Sequence, residues 1–348
     1  MTQPLRIGVI GTGFGVHHIE VLREVPGCAV VGVCSARAAR ADAVAARFGI
    51  PLATSDFRAL LERVDAVVVA TPPALHASMT LAAAAAGVHV LCEKPMAVTL
   101  DQALAMREAA DAAGIVAMLN YQQRFAPHFR HAAALVQEGA IGRLLVAELR
   151  VTINPVDYLR LPLWSDSKTG WFADAAQGGG LLASSVGPHL ADLLLWQGGP
   201  IAEVAARTIV SRPVIPLAGG GELRDISAED GFVLLGRYAS GALLTMRGIP
   251  VGHSGYEWLL ELHGDAGSLV VANDRLLLTR SGTSEPAPVA VPAALDLRHA
   301  IATTFVEAAR AGGPSPSPSF ADGSAAQAVL AAALEAARSG AWVAVRQP

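Results

Sequence analysis

Three groups of residues have types and spacings suited to chemistry. The first is Glu93-Lys94-Pro95, which closes the short apolar run 88–92. A lysine at the end of a buried strand loses contact with water, and a nearby cation disfavours its ammonium further. Both effects move the amine toward the range of an acid–base group. Strand alternation sends Glu93 to the opposite face. The second group is His189 and Asp192, spaced i, i+3 on one helical face after Gly178-Gly179-Gly180. The third is Gly11-Thr12-Gly13-Phe14-Gly15-Val16, between the apolar run 5–10 and a helical pattern at Val16, Ile19 and Leu22. In that order Gly11 permits a tight turn, Gly13 lets the backbone approach a pyrophosphate, and the helix N-terminus offers free N–H groups. A third glycine belongs at position 16, where Val16 stands. Gly15 lies one residue early, so helix–strand packing there must differ. A lone fingerprint also fits a glycine turn that binds nothing.

The elements around these groups repeat a pattern. Residues 5–10, 29–34, 66–70, 88–92 and 115–119 read as buried strands, with helices 38–48, 74–86 and 100–113 among them. A short helix follows Ser55, whose hydroxyl is placed to cap it. This alternation predicts a doubly wound parallel sheet, whose ligands gather at the carboxyl ends of the strands. Ala70, Thr71, Pro72, Glu93, Lys94 and Asn120 occupy such ends. The residues just past the second strand read the adenosine ribose. They are Ser35-Ala36-Arg37, with Arg40 beyond and no carboxylate before Asp42. Ser35 and Arg37 suit a 2′-phosphate, which favours NADP(H) over NAD(H); solvated charges at a helix start are the other reading.

Residues 120–127 link this region to the rest, and Tyr121, Gln122 and Arg124 are candidates either for substrate or for hydrogen bonds between domains. The long irregular stretch 154–177 carries Arg160, Trp164, Asp166, Trp171 and Phe172. A loop of that length is usually functional, as a wall of a substrate pocket or as a dimer contact. Strands near 144–153, 202–210, 230–238, 242–249, 257–263, 268–271 and 275–279 follow, several joined by hairpin signals. They predict a mostly antiparallel sheet with one face free to pack. The expected fold class is α/β, with an N-terminal Rossmann-type doubly wound parallel sheet over residues 1–122. A C-terminal α+β domain with a mostly antiparallel open sheet takes residues 123–348.

Gly11-Thr12-Gly13-Phe14-Gly15, Thr71-Pro72-Pro73 with His76, and Glu93-Lys94-Pro95 together resemble the Gfo/Idh/MocA family of NAD(P)-dependent oxidoreductases. The glycine triplet followed by His189-x-x-Asp192 resembles the family's second signature. The resemblance implies hydride transfer between nicotinamide and the carbinol or carbonyl carbon of a sugar, polyol or related small molecule. It implies Lys94 as principal acid–base group, with His189 orienting the substrate hydroxyl or exchanging a proton with it. Gly11 to Val16, Ser35, Arg37, Ala70, Thr71, Pro72, His76, Glu93, Lys94 and Asn120 would serve the cofactor. Tyr121, Gln122, Arg124, Trp164, Trp171 and Asp192 would serve the substrate. It also implies a homo-oligomer, dimer or tetramer, formed through the C-terminal sheet. Many members carry an aspartate four residues before the histidine; here that place holds Ser185, and the gap from the glycines to the histidine is one residue longer. Two rival readings stay open: a cofactor-retaining enzyme that breaks a glycosidic bond without net redox change, and a non-enzymatic, dinucleotide-responsive binding protein.

The bulk properties exclude other classes. The chain has 348 residues, and its net charge of −4 does not suit nucleic acid or an anionic membrane. No apolar run has the length of a membrane span, and Gly11 and Gly13 interrupt the early apolar stretch that a signal peptide would need. Three cysteines without metal-ligand spacing read as buried residues of a cytoplasmic protein. No metal is expected, because His189 and Asp192 have no evident third and fourth ligand.

Overall fold

The computed structural model describes residues 3–153, 169–211, 214–216, 222–223, 226–250, 257–283, 285–293 and 296–348. The chain divides into two compact units, 1–122 with 295–324, and 123–294 with 325–348.

The first unit is built on six strands: β1 (Leu5–Ile10), β2 (Cys28–Cys34), β3 (Leu52–Thr54), β4 (Ala66–Val69), β5 (His89–Cys92) and β6 (Ala117–Leu119). They lie in the order β3-β2-β1-β4-β5-β6, and every pair is parallel. Ile7, Val9, Val67, Val68, Val90 and Leu91 are fully enclosed, which is why these runs lack polar alternation. The helices are α1 (Gly15–Leu22), α2 (Ala38–Phe48), α3 (Phe57–Leu61), α4 (His76–Ala85) and α5 (Leu100–Ala113). Thr99 and Gln102 form a reciprocal capping box that starts α5, and Gly114 in the left-handed region ends it. The cap of α3 is Asp56, which accepts from Arg58 N, rather than the adjacent Ser55. Chain order reverses between β1 and β4, so the glycine loop after β1 opens at the topological switch point, where such sheets take their ligands.

Residues 295–324 return to this unit, whereas the sequence reading closes it at 122. The reason is packing. Helix α8 (Leu297–Ala311) lies against α1 and β1. The segment beyond it finishes the exposed side of β6, where Ala117 N donates to Ser315 Oγ at 2.8 Å and Leu119 N to Pro318 O at 3.0 Å.

The second unit holds helices α6 (Pro127–Gln137) and α7 (Gly187–Gly198) and a nine-stranded sheet. Its main strands are β7 (Leu144–Thr152), β8 (Ile201–Ile209), β11 (Gly231–Tyr238), β12 (Leu243–Ile249), β13 (Glu257–Gly264), β14 (Gly267–Ala272) and β15 (Arg275–Arg280). Short edge strands β16 (Ala287–Val289) and β17 (Val343–Ala344) flank it, and β9 (Ile215–Pro216) pairs with β10 (Glu222–Leu223) apart from it. Neighbours are antiparallel except β12 and β7, which run parallel. Leu149, Val151, Leu234, Met246 and Leu260 point to the face on which α6 and α7 pack. On the other face Val233, Leu235 and Leu243 are at least half exposed. Helix α9 (Phe320–Ser339) closes the helical complement, and among the described residues no helix is long and apolar enough to cross a membrane.

Candidate active site

The glycine loop is held by the strands beside it. Gly11 N donates to Cys34 O at 2.9 Å, and Ala70 N donates to Ile10 O at 2.8 Å. Gly11 has φ +114°, and a Cβ there would stand 2.2 Å from Ala70 O, so both space and conformation require glycine. Among the described residues nothing lies within 4 Å of a Cβ position on Gly13, which leaves the backbone open to an approaching ligand. At Gly15 a Cβ would sit 2.9 Å from Val9 Cγ1. Gly15 thus makes the close helix–strand contact expected of a glycine at 16, and Val16 has no need to be small. Thr12 Oγ1 donates to Ser35 Oγ at 3.2 Å, and Ser35 Oγ accepts from Arg37 N at 3.4 Å, so these three candidates come together. Arg37 is exposed.

The next two strand ends are tied to each other. His76 is fully buried, with Nε2 2.8 Å from Thr71 O and Nδ1 2.9 Å from Pro95 O. Burial pulls its pKa down, against the two carbonyls and the Glu93 charge. With both ring nitrogens on backbone carbonyls, His76 joins the loops after β4 and β5 rather than facing solvent; Pro72, beside it, is exposed. Glu93 is also buried. Its Oε1 lies 2.6 Å from His18 Nε2 and accepts from Asn120 Nδ2 at 2.6 Å, while Oε2 accepts from Lys94 N at 3.2 Å. Burial pushes the carboxyl up, but His18, Lys94 and Asn120 together outweigh it and hold the pKa below the ordinary value. Lys94 is half-buried, and its bond to Pro95 is cis. Asn120 is 2% exposed, and among the described residues its Oδ1 meets no hydrogen-bond partner. The open cradle at Gly13 and this spare acceptor fit a dinucleotide carrying a donor-rich head. Tyr121 is enclosed and Gln122 half-buried.

In the second unit Arg124 and Asp192 bind each other. Arg124 Nε donates to Oδ2 at 2.9 Å and Nη2 to Oδ1 at 2.6 Å; their side chains are 7% and 1% exposed. The resemblance places both at the substrate; the structure pairs them with each other. Residues Leu181–Ser185 form one π-helical turn, in which Ser185 N donates to Gly180 O and Val186 N to Leu181 O. A π turn holds one residue more than an α turn, which accommodates the extra residue before His189. Ser185 is buried inside that turn, and His189 follows on the first turn of α7. Glu229 caps the turn: Oε2 accepts from Leu181 N at 2.7 Å and Leu182 N at 3.0 Å, and Oε1 accepts from Ala183 N at 2.9 Å. Burial pushes its carboxyl up to about 7 despite these donors. Trp171 is half-buried and packs edge-on to Phe172, ring centroids 5.8 Å apart. Arg160, Trp164 and Asp166 lie outside the described residues. Among the described residues no three His, Cys, Asp or Glu side chains are grouped to hold a metal.

A family model described as "Oxidoreductase family, NAD-binding Rossmann fold" matches residues 5–121, and one described as "GFO/IDH/MocA C-terminal domain" matches residues 129–270. The chain belongs to the Gfo/Idh/MocA family. Among its relatives, levoglucosan dehydrogenase of Pseudarthrobacter phenanthrenivorans is 29% identical, the match covering 99% of each chain. D-xylose 1-dehydrogenase (NADP(+)) 2 of Haloferax volcanii is 31% identical over 68% of this chain and 67% of that protein. A solved levoglucosan dehydrogenase in complex with NADH and L-sorbose superposes with a TM-score of 0.86 at 27% identity, covering 99% of both chains. As a Gfo/Idh/MocA protein the chain is an NAD(P)-dependent oxidoreductase. Two structurally prominent residues, His18 and Glu229, are not among the sequence candidates. His18 falls on the inward stripe Gly15, His18, Ile19, Leu22 of α1, where a polar residue signals a buried partner. Glu229 carries no such signal, because its partners are 46 to 48 residues away.

Proposed function

We propose that this Gfo/Idh/MocA protein oxidises or reduces a sugar, polyol or related hydroxy compound at a carbinol or carbonyl carbon. The observation that carries the reading is Lys94, half-buried at the carboxyl end of β5 and two strands from the glycine loop. Gly11 to Val16, Thr71, Pro72 and Asn120 would hold the dinucleotide, with Ser35 and Arg37 at the adenosine ribose. When bound, the nicotinamide accepts or supplies the hydride. Lys94 takes the substrate hydroxyl proton in oxidation and returns it in reduction. Glu93, anchored by His18 and Asn120, fixes the backbone N–H from which Lys94 extends. His189 orients the substrate hydroxyl or exchanges a proton with it. Tyr121, Gln122 and Trp171 remain candidates for the substrate side.

The pairing of Ser35 with Thr12 and Arg37, with no carboxylate among them, supports a preference for NADP(H). The names and ligands of relatives support sugar-like substrates. The half-exposed apolar face of the large sheet supports a homo-oligomer formed through it. The test is a turnover screen with levoglucosan, L-sorbose, D-xylose and myo-inositol against both cofactors, with calorimetric titration of each cofactor. Lys94→Ala should bind cofactor as the wild type does and lose at least ~100-fold in turnover, the scale of a lost acid–base group. Unchanged turnover in that variant would remove Lys94 from the chemistry, and tighter NADH than NADPH binding would reverse the cofactor preference.

A further inference from the structure

We infer that Glu229 is a positioning residue for His189, acting by fixing the backbone from which α7 starts; the inference rests on the role given to His189 above. Three consecutive N–H groups, those of Leu181, Leu182 and Ala183, converge on one carboxyl group. These are the donors left over at the start of a helical turn, and few single side chains have two oxygens to share among three of them. The chain is shaped to admit this group. Gly180 has φ +124°, and a Cβ on it would lie 2.2 Å from Glu229 Oε1, so any other residue would expel the carboxyl. Leu181 N is shared with the Glu229 main-chain carbonyl at 2.8 Å, which locks side chain and backbone of Glu229 onto the same turn.

The segment bearing Glu229 is itself fixed on both sides. Asp230 accepts from Ser211 N at 2.7 Å and from Ser211 Oγ at 2.6 Å. Ser227 N and Ala228 N both donate to Ala173 O at 3.0 Å, and Ser227 Oγ accepts from Ala175 N at 3.0 Å. Residues 227–230 therefore hold two elements at once, the turn that carries Trp171 and the turn that leads into His189. Three residues separate Val186 from Leu190, whose N–H closes the first α-helical bond back to Val186 O, and His189 is the last of them. Its direction follows from how the π turn ends. A neutral cap such as serine would satisfy one N–H and leave the others to find partners elsewhere, so the turn would lose its single geometry.

The test reads His189 directly, in protein with isotope-labelled histidine, its ring signals assigned through His189→Gln. Glu229→Ala should shift or broaden the His189 signals while NADH affinity stays within about twofold. Turnover should fall ~10–100-fold, the cost of misplacing a reacting group by up to an ångström. Glu229→Gln keeps the reach but only one acceptor oxygen, its NH2 facing a backbone N–H, and should recover only part of both. Glu229→Asp keeps the charge but falls short of the three donors, and should behave like Glu229→Ala. If Glu229→Ala does not fold, the Asp and Gln variants carry the comparison. Wild-type His189 signals and wild-type turnover in a folded Ala or Asp variant would overturn the inference. Absence of turnover in the wild type on every sugar and polyol would instead remove the proposed function, with the His189 signals still deciding the role of Glu229.

Discussion

Breaking the Arg124–Asp192 pair from one side should cost far more than removing both partners. The two groups share two hydrogen bonds of 2.6 and 2.9 Å, and their side chains are 7% and 1% exposed. At an effective dielectric of about 20 and a charge separation of about 4 Å, their attraction is ~4 kcal/mol. Desolvation costs several kcal/mol per ion, so the net worth of the pair against apolar residues of the same size is close to zero. Removing one partner leaves the other charge buried without its main compensation, which costs ~3–5 kcal/mol. Arg124→Met alone and Asp192→Leu alone should each show that loss. The double variant Arg124→Met/Asp192→Leu should fall within about 1.5 kcal/mol of wild type, a coupling of at least ~4.5 kcal/mol. Urea unfolding followed by tryptophan fluorescence measures it, with equal slopes required across the cycle. Trp196 reports locally, since the Arg124 guanidinium lies 5.4 Å from its ring centroid. Single losses below ~1 kcal/mol, or a double loss equal to the sum of the singles, would refute the reasoning. A stable double variant with unchanged KM for the sugar would further place both residues outside the substrate contact.

Gly11→Ala should abolish dinucleotide binding by calorimetry, or fail to fold, because its Cβ would meet Ala70 O at 2.2 Å; binding as in wild type would show that the loop yields more than its geometry implies. Glu229 makes stability fall as pH rises: between the ordinary 4.5 and about 7 the folded chain keeps a proton that the unfolded chain has lost. Below that window the contribution is constant, and above it the loss is complete. At ~1.4 kcal/mol per pH unit the window is worth up to roughly 3 kcal/mol. Thermal melts of wild type against Glu229→Gln at pH 4.5, 5.5 and 7 should show the gap between them move in the variant's favour by that scale, and parallel curves would refute it. On the large sheet, Val233→Lys with Leu243→Lys should lower the sedimentation coefficient relative to wild type, as the proposed homo-oligomer requires, since both side chains are at least half exposed on its open face; an unchanged coefficient would refute an oligomer formed through this face.

The parallel sheet is legible because its strands are buried on both faces and so read as unbroken apolar runs, as in Val67-Val68-Val69. The glycine loop is legible because few residues other than glycine tolerate the position of Gly11. What the sequence hides is pairing over distance. Arg124 and Asp192 each look like a charge available to a ligand until the fold brings them together across 68 residues. His76 looks like a polar residue at a strand end, and only the fold shows that two carbonyls enclose it. The π turn is invisible because its residues, Leu181 to Ser185, have no composition that distinguishes it from an ordinary helix start. The parallel pairing of β7 with β12 is likewise hidden, since about 90 residues separate strands whose alternation suits either direction.

The division of the first unit has a consequence for how the protein is made. Its sheet needs residues 295–324, which leave the ribosome about 200 residues after the last strand of that sheet has been synthesised. At ~5–20 residues per second, roughly 10–40 s pass with the flank of β6 unpaired and the outer side of α1 uncovered. During that interval the nascent chain presents an open strand edge and an uncovered helix face, the kinds of surface that chaperones bind and that neighbouring chains can capture. The second unit has most of its own sheet in hand first. Yet both halves wait for the end of the chain: the first for residues 295–324, the second for residues 325–348, which emerge later still.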